Sequence, residues 1–211
     1  MDVPLLPFDA FEEVYAVDGG STDGTVEYLE SMGVPVHGQA KPGLNGAYHQ
    51  ANASSSCDAV VVFFPKGTVS PGSLLFFRPL LEGGCQLVVA SRLAKGGRNE
   101  EDDGFWRPRK WSVRLLSLLI SWLWRREGYR VLDVLHGVKG WHREAFSAMK
   151  ILDHGLSIDM EMTVRSYKLR LPRDEFPVVE SKRSYGESSF PFWLTGKRLF
   201  SYLLFELFRK D

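Results

Sequence analysis

The stretch Val14-Tyr15-Ala16-Val17-Asp18-Gly19-Gly20-Ser21-Thr22-Asp23-Gly24-Thr25-Val26 decides the fold of this chain. Residues 14–17 predict a buried strand, which runs into an acidic, glycine-rich turn. A helix is predicted to follow over residues 22–32, with Ser21 or Thr22 as its capping residue. A strand that ends in Asp and Gly before a helix is how α/β folds build nucleotide sites, although an ordinary strand-turn-helix connection has the same pattern.

Predicted strands and helices alternate along the remainder of the chain. The apolar run at residues 58–64 ends at Pro65 and is typical of a strand buried on both faces. The alternation predicts an α/β fold, with a mostly parallel sheet and helices on both faces. Further strands are predicted at residues 34–38, 86–91 and 175–179, and helices at residues 71–81, 111–124, 142–149, 158–168 and 190–208. Another helix is predicted to follow the glycine-rich turn at residues 41–46 and to run through about residue 54.

The composition limits the number of domains and the classes of partner. A chain of 211 residues that is 44% hydrophobic can build one substantial α/β core. We expect a single domain over residues 1–190 and an amphipathic aromatic helix over residues 191–211. The formal net charge is zero, which removes the electrostatic argument for nucleic-acid binding.

Cys57 and Cys85 lie in apolar contexts without the spacing of a zinc site or a disulfide framework, so we expect buried thiols.

The hydropathy pattern bears on membranes. The N-terminal residues lack the features of a signal peptide, and no apolar run reaches the roughly 18 residues that span a bilayer. Two segments, residues 115–124 and 190–208, combine Trp, Phe and Leu with flanking Arg and Lys, which is an interfacial signature. Core packing explains the first segment equally well. We predict a cytoplasmic protein that lies peripherally on the membrane surface.

Five segments carry a family resemblance. They are Ala16-Val-Asp-Gly-Gly-Ser-Thr-Asp-Gly-Thr25, Gly43-Leu-Asn-Gly-Ala-Tyr-His-Gln-Ala-Asn52, Val89-Ala-Ser-Arg-Leu-Ala-Lys-Gly-Gly97, residues 133–145 and Arg183-Ser-Tyr-Gly-Glu-Ser188. In this order they resemble segments of the family 2 glycosyltransferases, specifically the dolichol-phosphate and polyprenyl-phosphate sugar synthases. The resemblance implies a GT-A fold and transfer of a hexose from a nucleotide-diphospho-sugar to a polyprenyl phosphate or another lipid-linked acceptor.

The resemblance also implies which residues contact the substrates. Most of them lie in the acidic turn, in the glycine-rich segment that follows it, and in the segment near residue 185. Arg92 and Asp133 are expected in the catalytic cleft. The predicted substrate-binding residues are Asp18, Gly19, Gly20, Ser21, Asp23, Gly43, Asn45, Arg92, Arg183, Tyr185, Gly186 and Ser188.

Two features depart from the family's pattern. Family members begin with a strand that lines the nucleotide base pocket, whereas here only thirteen residues, interrupted by Pro4 and Pro7, precede Val14. The family also places Asp-x-Asp after the strand equivalent to residues 60–64, where this chain has Pro65-Lys66-Gly67. No cofactor is firmly implied. Mg²⁺ or Mn²⁺ would suit the reaction, but the usual acidic ligands are absent.

Lys66 offers a substitute for the metal. An ammonium group binds phosphate as a point charge, and the Lys66-Gly-Thr turn has backbone N–H groups for an anion. We hypothesise that Lys66, with Arg92 and Arg183, binds the diphosphate or the acceptor phosphate. The alternative is that Lys66 is a solvated turn residue, in a catalytically inactive protein that binds a nucleotide, a lipid phosphate or a protein partner.

The sequence contains no compelling general base. A phosphate monoester has a second pKa of about 6, so such an acceptor needs little help near neutral pH. Asp133 is the third predicted catalytic residue, with Lys66 and Arg92. Asp159 and Glu161 are two apart on a predicted helix and should point to different faces. His136 is the one histidine expected near the cleft, and an open sheet edge at the missing strand would invite a homodimer.

Overall fold

The computed structural model describes residues 2–100, 102, 107–153, 155–181 and 192–209. Its strands are β1 (Ala16–Asp18), β2 (Val36–Gly38), β3 (Ala59–Val62), β4 (Leu87–Ser91), β5 (Lys139–His142) and β6 (Arg173–Pro177). Its helices are α1 (Thr25–Ser31), α2 (Leu44–Ser54), α3 (Phe77–Glu82), α4 (Pro108–Trp124), α5 (Arg143–Met149), α6 (Ile158–Lys168) and α7 (Phe192–Phe208). Short 3₁₀ helices lie at Val3–Leu5, Phe8–Ala10 and Pro71–Phe76.

The strands of the described residues form two sheets. β1 and β2 pair in parallel, with Val17 opposite His37. The second sheet has the order β3-β5-β4-β6, in which β4 and β6 are parallel and β5 runs antiparallel to both of its neighbours. The predicted α/β fold is confirmed. The short strand β5 is not predicted from the sequence, because residues 131–139 have the pattern of a connection and a helix is predicted from residue 142, which leaves only Gly140 and Trp141 between them.

Helices cover both faces of the four-stranded sheet. Along β4, Leu87 and Val89 belong to a core cluster with side chains of α2, α4, α5, α6 and α7. Val88 and Ala90 point the other way, into a second cluster that includes Phe77 of α3. All four of these side chains are fully buried, which explains why they form a continuous apolar run rather than an alternating pattern.

The acidic turn ends in a helix that begins later than predicted. Gly24 is the N-cap of α1 and has a positive φ of 81°, a conformation that favours glycine. The carboxylate of Asp23 accepts hydrogen bonds from the backbone N–H and the hydroxyl of Thr25. Asp23 therefore provides the acceptor for the first backbone N–H of α1, and the prediction that Ser21 or Thr22 caps this helix is corrected.

The C-terminal helix α7 packs on α6 through a buried carboxylate. Glu206 Oε1 accepts hydrogen bonds from Arg165 Nη1 and Lys168 Nζ, both at 3.1 Å. Leu199, Tyr202 and Leu203 of the same helix join the core cluster. One face of α7 is thus part of the folded body, and the division of the chain near residue 190 stays a prediction.

Candidate functional site

Asp18, at the end of β1, folds the acidic turn around its own carboxylate. Asp18 Oδ2 accepts the backbone N–H groups of Gly20 (2.7 Å) and Ser21 (2.9 Å), and Oδ1 accepts the Ser21 hydroxyl (2.5 Å). These hydrogen bonds, with that from the Ser21 side chain the largest, lower the pKa of Asp18. The carboxylate is ionised and holds the turn in a fixed shape at the carboxyl end of a strand, which is where α/β sheets bind ligands.

Lys66 follows β3 and lies near the same edge. Its ammonium group is 4.9 Å from the centroid of the Phe64 ring, a cation–π contact. The backbone N–H of Lys66 donates to Phe64 O, and that of Gly67 donates to the carboxylate of Asp2. Both N–H groups therefore have protein acceptors, and the acceptor at Gly67 is itself an anion, so the backbone anion site of this turn stays a prediction.

One large cavity joins the acidic turn to Lys66. Its volume is about 810 Å³, within the range of small-molecule sites in proteins. β1 and β3 form its walls, and Tyr48 of α2 contributes to its floor. Of the predicted site residues, Asp18, Gly19, Ser21, Asp23 and Lys66 line this cavity.

Arg92, at the end of β4, is held by two carboxylates. Asp133 Oδ2 accepts Arg92 Nε (2.7 Å) and its backbone N–H (3.0 Å), Asp133 Oδ1 accepts Nη2 (2.9 Å), and Glu180 Oε2 accepts Nη1 (3.0 Å). Burial alone would lower the pKa of Arg92, but the two carboxylates raise it above its ordinary value. The guanidinium is therefore permanently charged, and the carboxylates of Asp133 and Glu180 already compensate its charge.

Asp133 is fully buried in this ion pair. Burial alone would raise its pKa, but the charge of Arg92 and the hydrogen bonds from it lower the pKa to about 2. Glu175 of β6 fixes the surrounding loop by accepting the backbone N–H groups of Leu132 and Asp133. A carboxylate with this pKa and no exposure is suited to orienting Arg92 and not to accepting a proton near neutral pH.

A second, smaller cavity of about 130 Å³ lies beside this ion pair. Arg92 and Glu180 line it together with Arg109 and Val113, which belong to the first turns of α4. Thr68, Asn99 and Glu100 complete the lining. Lys66 does not line this cavity and Arg92 does not line the large one. Their shared role in binding the diphosphate or the acceptor phosphate stays a prediction.

A buried polar cluster joins α2, β5 and α6, and its Tyr48 lines the large cavity. Lys139 Nζ donates to Asp159 Oδ1 at 3.0 Å, and Tyr48 Oη donates to Gly137 O at 2.6 Å while lying 3.3 Å from Asp159 Oδ1. Burial lowers the pKa of Lys139 and raises that of Tyr48. Glu161 instead contacts Leu152 N and Ser157 Oγ, so the prediction that Asp159 and Glu161 point to different faces is confirmed.

His136 lies in the same buried region and is neutral near pH 7. Burial, assisted by the positive charge of Arg92, lowers its pKa to about 4. Within the described residues its Nδ1 atom has no hydrogen-bond partner. The charges of Asp133 and Lys139 also act on His136. His136 lines neither cavity, so the expectation that it lies near the cleft stays a prediction.

Gly43 and Asn45 make structural contacts and line neither of the two cavities, and their role as substrate-binding residues stays a prediction. Asn45 is fully buried; its Oδ1 accepts the N–H of Ile158 at the start of α6, and its Nδ2 donates to Leu152 O. Gly43 has a φ of 91°, and a Cβ there would lie 2.6 Å from Gly155 O. Both residues join α2 to the loop before α6.

Sequence reasoning missed Glu180, Lys139 and Tyr48. The only sequence signal for Lys139 is its isolation in an apolar run, and Glu180 reaches Arg92 across 88 positions of sequence. Arg183, Tyr185, Gly186 and Ser188 lie outside the described residues, and Gly20 contributes its backbone N–H to Asp18.

The donor set at the cavity does not suit a divalent cation. Pro65 and Gly67 flank Lys66, and the carboxylate of Asp18 is turned onto its own loop. In the part of the chain that the structure describes, no three His, Cys, Asp or Glu side chains lie close enough together to hold a metal ion. We therefore derive no chemical step through a metal.

Comparisons with known proteins agree with the fold. No protein-family model matches the chain. Glycosyltransferase AglJ of Haloferax volcanii is 26% identical over 183 residues, which cover 86% of this chain and 58% of the relative. The chain thus spans less than two thirds of the length of this curated relative.

Solved structures of glucosyl-3-phosphoglycerate synthase from Mycobacterium tuberculosis are similar to this chain. The complex with Mn²⁺, UDP-glucose and phosphoglyceric acid has a TM-score of 0.65 at 19% identity, covering 95% of this chain and 70% of the other. The complex with Mn²⁺ and UDP-glucose has a TM-score of 0.63 at 20% identity over the same shares. The predicted GT-A fold is confirmed.

Proposed function

We propose that this protein is a glycosyltransferase that binds a nucleotide-diphospho-sugar in the large cavity and transfers the sugar to a lipid-linked phosphate. One observation carries the proposal: the acidic turn at Asp18 and the ammonium group of Lys66 line the same cavity, at the carboxyl ends of β1 and β3. The similarity in sequence to a glycosyltransferase, and in fold to a synthase solved with UDP-glucose, supports it.

The acidic turn at Asp18 and the side chain of Lys66 recognise different parts of the donor. The apolar walls of the cavity suit a base, and exposed polar groups of residues 19–23 suit a ribose. Lys66 supplies positive charge for the diphosphate, because the positions where acids would hold a cation are Pro65 and Gly67. The carboxylate of Asp2 at the Gly67 N–H marks a place that a phosphate oxygen can take over by displacing it.

The acceptor phosphate takes the smaller cavity. Its oxygen is already deprotonated near neutral pH and attacks the anomeric carbon of the sugar as the bond to the departing diphosphate oxygen breaks. Arg109 and Val113 line this cavity from α4, so a lipid whose phosphate lies there has its chain beside that helix. Asp133 acts as a positioning residue that keeps Arg92 oriented toward the same space.

The outer face of α4 suits a lipid surface. Its exposed apolar side chains follow helical spacing and form one stripe. Exposed Arg114 and Arg126 flank the stripe, a pattern typical of helices in the membrane interface. In the described residues no helix has both the length and the apolar character needed to cross a membrane. The residues of the stripe are Trp111, Leu115, Leu118, Leu119 and Trp122.

Donor binding is tested by thermal shift and calorimetry with a panel of nucleoside diphosphates and UDP-glucose, each with Mn²⁺ and with EDTA. We expect one nucleotide to bind in both conditions, and Lys66→Met to weaken it about 10- to 100-fold, since a hydrogen bond to a charged group contributes about 1.5–3 kcal/mol. Lys150→Met, an exposed lysine that lines neither cavity, is the matched control. Failure of every nucleotide to bind refutes the proposal, and binding without turnover supports the inactive alternative.

Lipid binding is tested by co-sedimentation with anionic vesicles. Leu118→Glu and Leu75→Glu are a matched pair, because both leucines are 51% exposed but only Leu118 lies on the stripe. We expect Leu118→Glu to abolish sedimentation and Leu75→Glu to leave it intact. Equal behaviour of the two variants would contradict the assignment of the α4 face.

A further inference from the structure

The loop that follows α4 brings exposed arginines together. Arg125, Arg126 and Arg130 are exposed members of this loop. Arg170, an exposed residue just after α6, joins them, because its Nε atom lies 3.7 Å from the carboxylate of Glu127 in the same loop. Glu127 is the single acidic residue between the first and the last of the three loop arginines. These four arginines, the arginine patch, therefore carry a net positive charge in a chain whose formal net charge is zero.

The two ends of α4 differ in how their cations are compensated. At the N-terminal end, carboxylates of the preceding loop hold the cations, as in the pairs Arg107–Asp102 and Arg109–Glu100. In the part of the chain that the structure describes, Glu127 is the one carboxylate that pairs with an arginine of the patch, and both partners of that pair are exposed. Exposed pairs contribute little, so the charge at the C-terminal end of α4 is available to an external anion.

A buried arginine fixes the shape of the loop. Arg173, the first residue of β6, donates hydrogen bonds to the carbonyl oxygens of Glu127 and Tyr129 in the loop. It also donates to those of Ser166 and Leu171, near the end of α6. The loop and the end of α6 are therefore held together, and little conformational freedom remains to be lost when the patch binds an anion.

The patch continues the exposed apolar stripe of α4. Trp122, the last member of the stripe, is 77% exposed. Arg125, the C-cap of α4, follows it by three positions, which is the spacing of neighbours on one helical face. Tyr129 adds an exposed aromatic ring within the loop. Apolar side chains that end in arginines and aromatic rings suit the boundary between acyl chains and headgroups, whereas an acidic peptide would leave the stripe uncovered.

The patch and the smaller cavity lie at opposite ends of α4. Arg109 and Val113, in the first turns of the helix, line that cavity beside Arg92 at the end of β4. The loop is held instead by Arg173 at the start of β6, which is parallel to β4. The 17 residues of α4 correspond to a length of about 25 Å. A contact at the patch therefore holds the end of α4 that is remote from the cavity.

We propose that the arginine patch binds the anionic headgroups of a lipid bilayer and thereby holds α4 parallel to the membrane surface. The inference rests on the proposed function, which places the outer face of α4 on a lipid surface. The guanidinium groups form charge-assisted hydrogen bonds with lipid phosphate oxygens, while the stripe enters the acyl boundary. With the whole helix at one depth, the smaller cavity at its N-terminal end lies at the level of the lipid phosphates.

The test is co-sedimentation of the 211-residue chain with phosphatidylcholine vesicles that contain or lack phosphatidylglycerol. The variant Arg126→Gln/Arg130→Gln/Arg170→Gln removes three charges of the patch and spares Arg125, which donates to Gly128 O. Each arginine near an anionic surface contributes a factor of roughly five, so affinity for the anionic vesicles should fall about 100-fold. Affinity for the neutral vesicles should stay unchanged.

Salt and a charge-matched variant are the controls. The difference between the patch variant and the wild type should largely disappear between about 0.1 M and about 1 M salt, where the screening length falls from about 10 to about 3 Å. Lys41→Gln/Arg78→Gln/Lys150→Gln removes the same charge from exposed side chains outside the patch and should bind anionic vesicles nearly as the wild type does. Urea unfolding checks that both variants are folded.

Four results overturn the inference. They are an equal loss of binding by both triple variants, unchanged binding by the patch variant, failure of the wild type to bind anionic vesicles, and binding of the patch to a polyglutamate peptide in preference to the vesicles. The proposed function has separate readouts, which are nucleotide binding in solution and the comparison of Leu118→Glu with Leu75→Glu on vesicles. Failure of those readouts with the arginine dependence intact refutes the proposed function alone, and the converse result refutes this inference alone.

Discussion

Asp133→Asn should destabilise the folded protein by about 3 kcal/mol at pH 7. The substitution keeps the shape of the side chain but removes the charge that three donors of Arg92 share. Arg92 is largely buried and would keep only Glu180 as a compensating charge. Removing one partner of a buried ion pair costs about 3–5 kcal/mol of folding free energy, and the remaining carboxylate of Glu180 places the effect at the lower end.

The pH dependence of stability gives an independent measure of the same pair. The pKa of Asp133 is lowered from 3.8 to about 2 in the folded state, so the contribution of this carboxylate is complete above pH 3.8 and is lost as the pH falls through 2. A difference of about two pKa units corresponds to about 2.5 kcal/mol. The wild-type chain should lose this increment over that window, and Asp133→Asn should not.

Urea unfolding at closely spaced pH values between 2 and 7 measures both effects. At pH 7 the melting temperature of Asp133→Asn should also fall by roughly 6–12 °C for a chain of this size. Asp58→Asn removes the same charge from an exposed side chain and serves as the control. Equal unfolding free energies for the two variants, or a pH profile of Asp133→Asn that parallels the wild type, would refute this account of Arg92.

Three further substitutions test the packing around the site. Glu206→Gln should lower the unfolding free energy by about 3 kcal/mol in urea titrations, because it removes the carboxylate charge that is paired with the buried guanidinium of Arg165. Asn45→Ala should lower the unfolding free energy by about 1–3 kcal/mol because it leaves the Ile158 N–H without its acceptor, while calorimetry should find nucleotide affinity unchanged. Gly43→Ala should lower the melting temperature far more than Gly38→Ala, since a Cβ at Gly43 meets Gly155 O whereas one at Gly38 meets nothing within 4 Å.

Local features of the fold could be predicted from the sequence. The turn after β1 is built by hydrogen bonds between Asp18 and residues two and three positions later, so its residues are enough to indicate it. The buried strand β4 is likewise visible as an apolar run. Helix α1 begins later than predicted because Gly24, in the left-handed conformation, and the Asp23 carboxylate together define its start. The residue types alone do not show that these two residues, and not Ser21, cap the helix.

Contacts between distant segments could not be predicted in this way. Asn45 lies in a segment that resembles a substrate-binding turn, yet its partner is Ile158, 113 positions away. Arg92 was correctly placed at a strand end, but its charge is compensated by Glu180, which no spacing rule connects to it. The same limit applies to Lys139, whose burial becomes intelligible only when Asp159 is seen beside it.

The compensation of Arg92 restricts how a phosphate can use it. Two carboxylates face one guanidinium, so an anion approaching Nη1 must replace the side chain of Glu180. The backbone of Glu180 is fixed by its hydrogen bond to Arg98 O and its bridge to Val69, so this exchange needs only a side-chain rotation. Asp133 stays in place and keeps the guanidinium of Arg92 oriented toward the smaller cavity. In the proposed function, the acceptor site is therefore closed by the Glu180 carboxylate until an external anion takes its place, and the donor diphosphate would depend on Lys66 in the other cavity.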